Sequence, residues 1–243
     1  MDRRHPVKRR ALGLSLTLVS GAGCTSYPAH EAATDALRSD QVVTVEHVDD
    51  FTAFIPSQPQ TDHTVIFYPG AKVDHEAYAP LLRMLAQEGV ASVLVKMPGD
   101  LAVLAPNKGD DAIEAFSELG PWFAAGHSLG GAMAASWFAD RLSSLEGLVL
   151  MAAYPAESVD LSKVAHPVVS VTASEDAVLD WDVWDERRSN LPSHTQYVDI
   201  EGGNHAGFGA YGPQDDDGVA TICPEAQWEQ TVAAMYDLVT QAD

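Results

Sequence analysis

Three residues far apart in the chain have side chains that together suit chemistry at a carbonyl carbon. Ser128, Asp176 and His205 occur in that order, 48 and 29 residues apart. A serine hydroxyl is a weak nucleophile until a base takes its proton. A histidine serves best as that base when a carboxylate holds its ring. Ser128 stands in Gly126-His127-Ser128-Leu129-Gly130-Gly131, with an apolar run from Trp122 to Ala125 before it and an alanine-rich stretch from Ala132 to Arg141 after it. A Gly-x-Ser-x-Gly between a strand and a helix marks a very tight turn, in which the positions two residues either side of the serine must lack a Cβ. Gly126 and Gly130 meet that demand. The helix start beside Ser128 points N–H groups at any anion forming there. With 17 serines in the chain and glycine at about 7% of residues, the bare pattern arises by chance in about one such chain in ten. The strand before it and the helix after it are what give it weight.

The elements that would position these residues can be read in order. Gln41 to Val48 and Phe51 to Ile55 read as an antiparallel edge hairpin around Asp49-Asp50. Continuous apolar runs then recur at 64–68, 91–97, 122–125, 145–152 and 167–173, with 196–200 as the last strand. Runs of this kind suit strands buried on both faces. Helical patterns fall between and after them, at Glu76 to Glu88, Asp110 to Leu119, the stretch after Ser128, Trp181 to Ser189 and Gln227 to Thr240. This alternation predicts an α/β fold, a mostly parallel twisted sheet with helices on both faces. Ligands in such sheets bind at the carboxyl ends of the strands. Four segments should arrive there: 69–75, 126–129, 174–177 and 201–205.

That edge sorts the candidates. Ser128, Asp176 and His205 each follow a buried strand. His166 and His194 precede strands and belong at the opposite edge. His127 reads as an inward, satisfied core histidine, and His75 as a solvated helix-cap residue that could instead line the site. Glu175 is the alternative to Asp176, while Asp180, Asp182 and Asp185 read as a solvated face. An oxyanion would be met by two backbone N–H groups, those of Leu129 and of a residue in Gly70-Ala71-Lys72. Ala71 is preferred, and Pro69 has no N–H to offer. Phe208 and Tyr211 either line an acyl pocket or pack beneath their loop. The run Asp215-Asp216-Asp217 reads as solvated rather than as a Ca²⁺ site, because adjacent acids do not present alternate ligands on one side. No metal or cofactor is expected.

The chain resembles the α/β-hydrolase superfamily, in particular its small, lidless group similar to dienelactone hydrolases. The elbow Gly126-His127-Ser128-Leu129-Gly130-Gly131 carries the resemblance, supported by the position and order of Asp176 and of Gly202-Gly203-Asn204-His205. It extends over about residues 41–241. It implies a Ser-His-Asp triad acting through an acyl-enzyme, with Ala71 and Leu129 stabilising the oxyanion and a small-molecule ester as substrate. The chain departs from the group in having Tyr68-Pro69-Gly70 where a His-Gly pair is commoner, and serine where dienelactone hydrolases proper use cysteine. The interval from Ala153 to His166 is too short for a sizeable cap domain. A non-catalytic anchored binding protein on the same fold is the alternative from another class, and a peptidase without a gating cap is a third.

Length and charge bound the rest. The 243 residues suffice for one domain with a large core. The formal net charge is −21, which repels nucleic acid and anionic lipid. The first 23 residues hold five of the 14 basic residues but one of the 35 acidic ones. There Arg9-Arg10 leads an apolar run, Ala11 to Ala22, ending at Gly23-Cys24. Residues 1–23 therefore read as a signal peptide of twin-arginine and lipoprotein type, and 24–40 as a polar tether to a domain at 41–243. The expected location is the cell surface or periplasm, with membrane contact only through a lipid on Cys24.

Overall fold

The computed structural model describes residues 26–242. The expected signal peptide at 1–23 and Cys24 lie outside the described residues. The apolar runs form strands: β1 (Val43–Val48), β2 (Phe51–Pro56), β3 (Thr64–Tyr68), β4 (Ala91–Val95), β5 (Trp122–His127), β6 (Leu145–Met151), β7 (Val168–Ala173) and β8 (Gln196–Ile200). They make a single sheet in the order β1-β2-β4-β3-β5-β6-β7-β8. β1 pairs antiparallel with β2, and β2 with β4; every other neighbouring pair is parallel. Every residue of β3, β4, β5 and β7 is buried, as a sheet covered on both faces requires. β8, at the edge, buries Ile200 alone.

The α-helices are α1 (Glu31–Ala36), α2 (Ala79–Gln87), α3 (Lys108–Ala115), α4 (Leu129–Ala139), α5 (Trp181–Arg187) and α6 (Pro224–Thr240). Successive strand residues point to opposite faces, so the sheet divides the core in two. Val65, Phe67, Phe123 and Ala125 join Leu81, Leu82 and Leu85 of α2 and Val232, Met235 and Val239 of α6. Ile66, Tyr68, Trp122 and Ala124 join Ala112 of α3 and Ala134, Trp137 and Phe138 of α4. Burying each large side chain contributes about 1.5–3 kcal/mol, and both faces are needed to hold the strand ends still. Residues 152–167, between β6 and β7, contain no helix or strand, and among the described residues no large cap covers the sheet edge.

Several boundaries differ from expectation for identifiable reasons. α4 begins at Leu129, directly after Ser128, because its two glycines are tolerated where backbone packs closely. α6 begins at Pro224, where a proline at the first helical position needs no N–H partner. The expected helix at Glu76 to Glu88 is a 3₁₀ turn, His75–Tyr78, followed by α2.

The largest difference is in residues 26–40, which do not form a free tether. Tyr27 pairs with the segment just after β3, its N–H donating to Lys72 O at 2.6 Å and its carbonyl accepting from Asp74 N–H at 2.9 Å. His30 N–H donates to Ala210 O at 2.7 Å. Ala33 and Ala36 of α1 are buried. Arg83 of α2 donates to Ala36 O at 3.1 Å and Arg38 O at 2.6 Å, and also pairs with Asp40. The two alanines sit among many polar residues, so composition alone hides the packed face.

Candidate active site

The turn at Ser128 is as tight as the glycine spacing requires. Ser128 has φ 53° and ψ −127°, a region that costs a non-glycine residue on the order of 1–3 kcal/mol. Its N–H donates to Met151 O at 2.9 Å, which ties the turn to the end of β6. A Cβ on Gly126 would come within 2.6 Å of the Gly130 carbonyl carbon. One on Gly130 would come within 2.2 Å of Pro69 O and 2.4 Å of Tyr68 O. Gly126 thus lets helix meet strand, and Gly130 lets the loop after β3 lie against the helix start.

Within that loop the N–H groups have distinct fates. Gly70 N–H donates to the Tyr78 hydroxyl at 3.1 Å, and Lys72 N–H to Asp100 O at 2.8 Å. Ala71 N–H has no partner among the described residues. Leu129, the first residue of α4, likewise has no acceptor for its N–H within the helix. Both are therefore available to an incoming anion.

Asp176 and His205 meet at the carboxyl edge, from the loops after β7 and β8. His205 Nδ1 lies 2.8 Å from Asp176 Oδ2, and both residues are buried. An ionised carboxylate only accepts, so Nδ1 carries the proton and Nε2 is left as the basic nitrogen. Asp176 Oδ1 accepts from Val178 N–H at 2.9 Å and Leu179 N–H at 2.8 Å. The Trp181 indole N–H reaches Asp176 O at 2.9 Å. Ser128, Leu129 and His205 line one cleft of about 260 Å³ with Ala132, Ala152, Ala153, Tyr154, Val178, Leu179 and Asp180. Ser128 Oγ makes no hydrogen bond among the described residues, so contact with His205 needs a small movement or a substrate to close it. A larger hollow, about 510 Å³ and lined by Glu146, His166 and His194, lies at the opposite edge of the sheet, away from these residues.

The other candidates fall elsewhere. Glu175 is exposed and its side chain accepts from Ser174 Oγ at 3.3 Å. Asp180 caps α5, accepting from Val183 N–H at 3.1 Å, and also reaches the cleft. At the turn before α2 the cap is Asp74, not His75. His75 is half-buried, and burial pushes its pKa below the ordinary histidine value. Phe208 and Tyr211 are buried and pack; neither lines the cleft. His127 is inward but only half satisfied. Its Nδ1 lies 2.8 Å from the Tyr78 hydroxyl, while Nε2 has no partner among the described residues. Its ring packs 4.5 Å from that of His205. Burial, and then the neighbouring His205 charge, hold its pKa well below the ordinary value.

Three residues with a clear bearing on the site escape the sequence reading. Tyr78 links the loop after β3 to His127. Gln227 of α6, almost fully buried, accepts from Asn204 N–H at 3.1 Å and donates to Asn204 O at 2.8 Å, clasping the loop before His205. The signal for it is a polar side chain on the apolar stripe of α6, in line with Thr231 and Met235. Asp217 is half-buried and accepts from backbone N–H groups of the acid and base loops, whereas Asp215 and Asp216 beside it are exposed. No group of three His, Cys, Asp or Glu among the described residues is arranged to hold a metal ion.

Comparison with known proteins agrees with this architecture. No curated protein is similar enough in sequence to match. A protein from Thermoplasma acidophilum, described by prediction as a CIB-like hydrolase, superposes with a TM-score of 0.63 at 16% identity, over 81% of this chain and 99% of its own. An arylesterase gives 0.60 at 16% identity, over 87% and 89%. The alpha/beta hydrolase MGS-MChE2, from the metagenome of Mar Chica lagoon sediments in Morocco, gives 0.54 at 13%, over 68% and 90%. At such identities the likeness is one of fold. The family model described as the alpha/beta hydrolase family matches residues 64–229, from β3 into α6, and the chain belongs to that family.

Proposed function

We propose that the protein is a serine hydrolase that cleaves carboxylic esters through an acyl-enzyme, outside the cytoplasmic membrane. The observation that carries this reading is the buried Asp176–His205 pair opening on the same cleft as the strained Ser128. Ser128 Oγ attacks the ester carbonyl carbon as His205 Nε2 takes the hydroxyl proton. The carbonyl oxygen becomes an anion facing the N–H groups of Ala71 and Leu129. Nε2 then returns the proton to the leaving alcohol oxygen as the C–O bond breaks, and the acyl group stays on Ser128. Water repeats the sequence and releases the acid. Asp176 keeps the imidazole oriented and stabilises its cationic form.

The small walls of the cleft, Ala132, Ala152 and Ala153, favour short acyl groups. Serine at position 128 and the uncapped edge support a small lidless esterase rather than a dienelactone hydrolase proper. Export through the Arg9-Arg10 leader and anchoring by a lipid on Cys24 complete the proposal. Cys24→Ala should then move the protein from the membrane fraction to the soluble one.

The test is hydrolysis of p-nitrophenyl acetate, butyrate and decanoate by wild type and Ser128→Ala. Short esters should turn over faster than decanoate, and the variant should lose about three orders of magnitude or more. A serine-directed phosphonate should label wild type stoichiometrically. Equal rates from two folded proteins would sink the esterase reading and put the non-catalytic binding protein in its place.

A further inference from the structure

We propose that Asp217 is the positioning residue that fixes the acid and base loops relative to each other, and so sets the Asp176–His205 contact. The inference rests on the proposed triad. Asp217 lies in the turn that follows the base loop, on no helix or strand. Its Oδ1 accepts from Gly218 N–H at 2.8 Å, Ala177 N–H at 3.3 Å and His205 N–H at 3.3 Å, and its Oδ2 from Ala206 N–H at 2.8 Å. Ala177 follows the acid directly; His205 and Ala206 are the base and its successor. One carboxylate therefore gathers four backbone donors from three segments, two of which carry the partners of the buried pair. Hydrogen bonds to a charged acceptor are about twice as strong as neutral ones, and four N–H groups leave it little freedom.

A second observation concerns the seat of the turn itself. A Cβ on Gly218 would come within 1.8 Å of Glu175 O. The turn thus lies in backbone contact with the acid loop one residue before Asp176. The base loop is held elsewhere as well, by Gln227 on Asn204 and by Asn204 Nδ2 on Gly218 O at 2.7 Å. Those bonds fix it to α6 and to the turn. The two loops also meet directly at their starts, where Glu175 N–H donates to Gly203 O at 2.8 Å and Gly202 N–H to Ser174 Oγ at 2.9 Å; Asp217 is the carboxylate from a third segment that bonds both loops beyond that point, at Ala177 and at His205 and Ala206. It touches neither the cleft nor the imidazole ring, so it acts through the backbone.

Its loss should let the Asp176–His205 distance vary. Misplacement of a catalytic group by about 1 Å costs on the order of 10²-fold in rate. Asp217→Asn keeps the size of the side chain but offers one oxygen instead of two and presents an NH₂ group to an N–H donor. Gly218→Ala keeps every carboxylate and pushes the turn off Glu175. Asp216→Asn, exposed and bonded to neither loop, is the control for losing one negative charge near His205. The ionisable groups beside that imidazole, Asp176 and His127, and those that line the cleft with it, Tyr154 and Asp180, are unaltered.

The decisive readout is the far-downfield proton resonance of the His205 Nδ1–H shared with Asp176, which requires no turnover. It should be present in wild type, Ser128→Ala and Asp216→Asn, and broadened or lost in Asp217→Asn and Gly218→Ala. In ester hydrolysis the same two variants should lose about 10–100-fold in kcat with KM within about two-fold. Retention of the resonance and of kcat in a folded Asp217→Asn or Gly218→Ala, whatever its melting temperature, would overturn the proposal. Should wild type hydrolyse no ester, the proposed function fails while the resonance still reports on Asp217.

Discussion

The two sides of the cleft are built on opposite principles. On the nucleophile side, position comes from side chains that are missing. Gly126 and Gly130 let backbone approach backbone at distances a Cβ would forbid, and Ser128 is held in a strained conformation by the strand and helix either side of it. On the base side, position comes from side chains that are present. Asp176, Asp217, Gln227 and Asn204 each spend polar atoms on backbone groups of neighbouring loops. The first is held by steric exclusion within two adjoining elements, and the second by hydrogen bonds gathered from β7, β8, the turn at 215–218 and α6. The nucleophile side should therefore be damaged chiefly by adding an atom and the base side chiefly by removing one, with Gly218, seated against Glu175 O, as the exception on the base side.

The largest effect expected is on the base side. Asp176→Asn keeps the shape but frees the imidazole to take the wrong tautomer, and kcat should fall by about 10⁴ in the p-nitrophenyl acetate assay. A fall of less than ten-fold would mean that another carboxylate orients the ring. Next comes the opposite side. Gly130→Ala drives a methyl into the backbone of Tyr68 and Pro69 and should cost about 3 kcal/mol or more, at the top of the range for overpacking. Urea unfolding measures it, and a neutral result would mean that the loop after β3 yields easily. Gln227→Ala removes atoms instead and leaves the half-buried Asn204 N–H and C=O without their partner, for a loss of about 1–2 kcal/mol. A buffer containing small amides that restored activity but not stability would sharpen the distinction further.

The smallest effect is a pH dependence. The His127 pKa is depressed in the folded protein, so the unfolded chain binds a proton that the folded chain does not. Its stabilising contribution is full above about pH 6.5 and declines below it, by up to about 1.4 kcal/mol per pH unit. His75 is shifted the same way. His127→Gln should melt with a flatter acid-side slope than wild type between pH 6.5 and 5.5. Parallel slopes would mean that His127 takes up its proton in the folded state.

How far the site was legible in the sequence follows the same division. Steric demands leave local traces. The glycines around Ser128 and the unbroken apolar runs of β3, β5 and β7 point directly to the elbow and the sheet, and the order of Ser128, Asp176 and His205 can be read once the strands are placed. Polar bracing leaves weaker traces. Asp217 sits in an acidic run that looks like solvated surface, and only the fold shows that one of its three members turns inward. Gln227 reads as the polar first residue of the closing helix; α6 begins at Pro224, which sets Gln227 inside the helix in line with Thr231 and Met235. Tyr78 looks like any other core residue of its helix until its hydroxyl is seen between Gly70 and His127. Residues 26–40 have too few apolar side chains to announce a packed face, because most of their attachment runs through backbone groups of Tyr27 and His30 and through Arg83.

The attachment of that segment bears on how the protein would stand on a membrane. Cys24 stands three positions before Tyr27, a span of at most about 11 Å, and Tyr27 is already paired beside the loop after β3. On the proposed lipid anchoring, the chain is not a leash from which the domain swings. From Tyr27 onward it is fixed at the rim that carries Ala71. The rim would ride close above the headgroups, and the acidic body would be held away from them by charge. Substrates would enter through a narrow gap parallel to the bilayer, so that even an uncapped cleft would be screened from bulky polymers by the surface on which it stands.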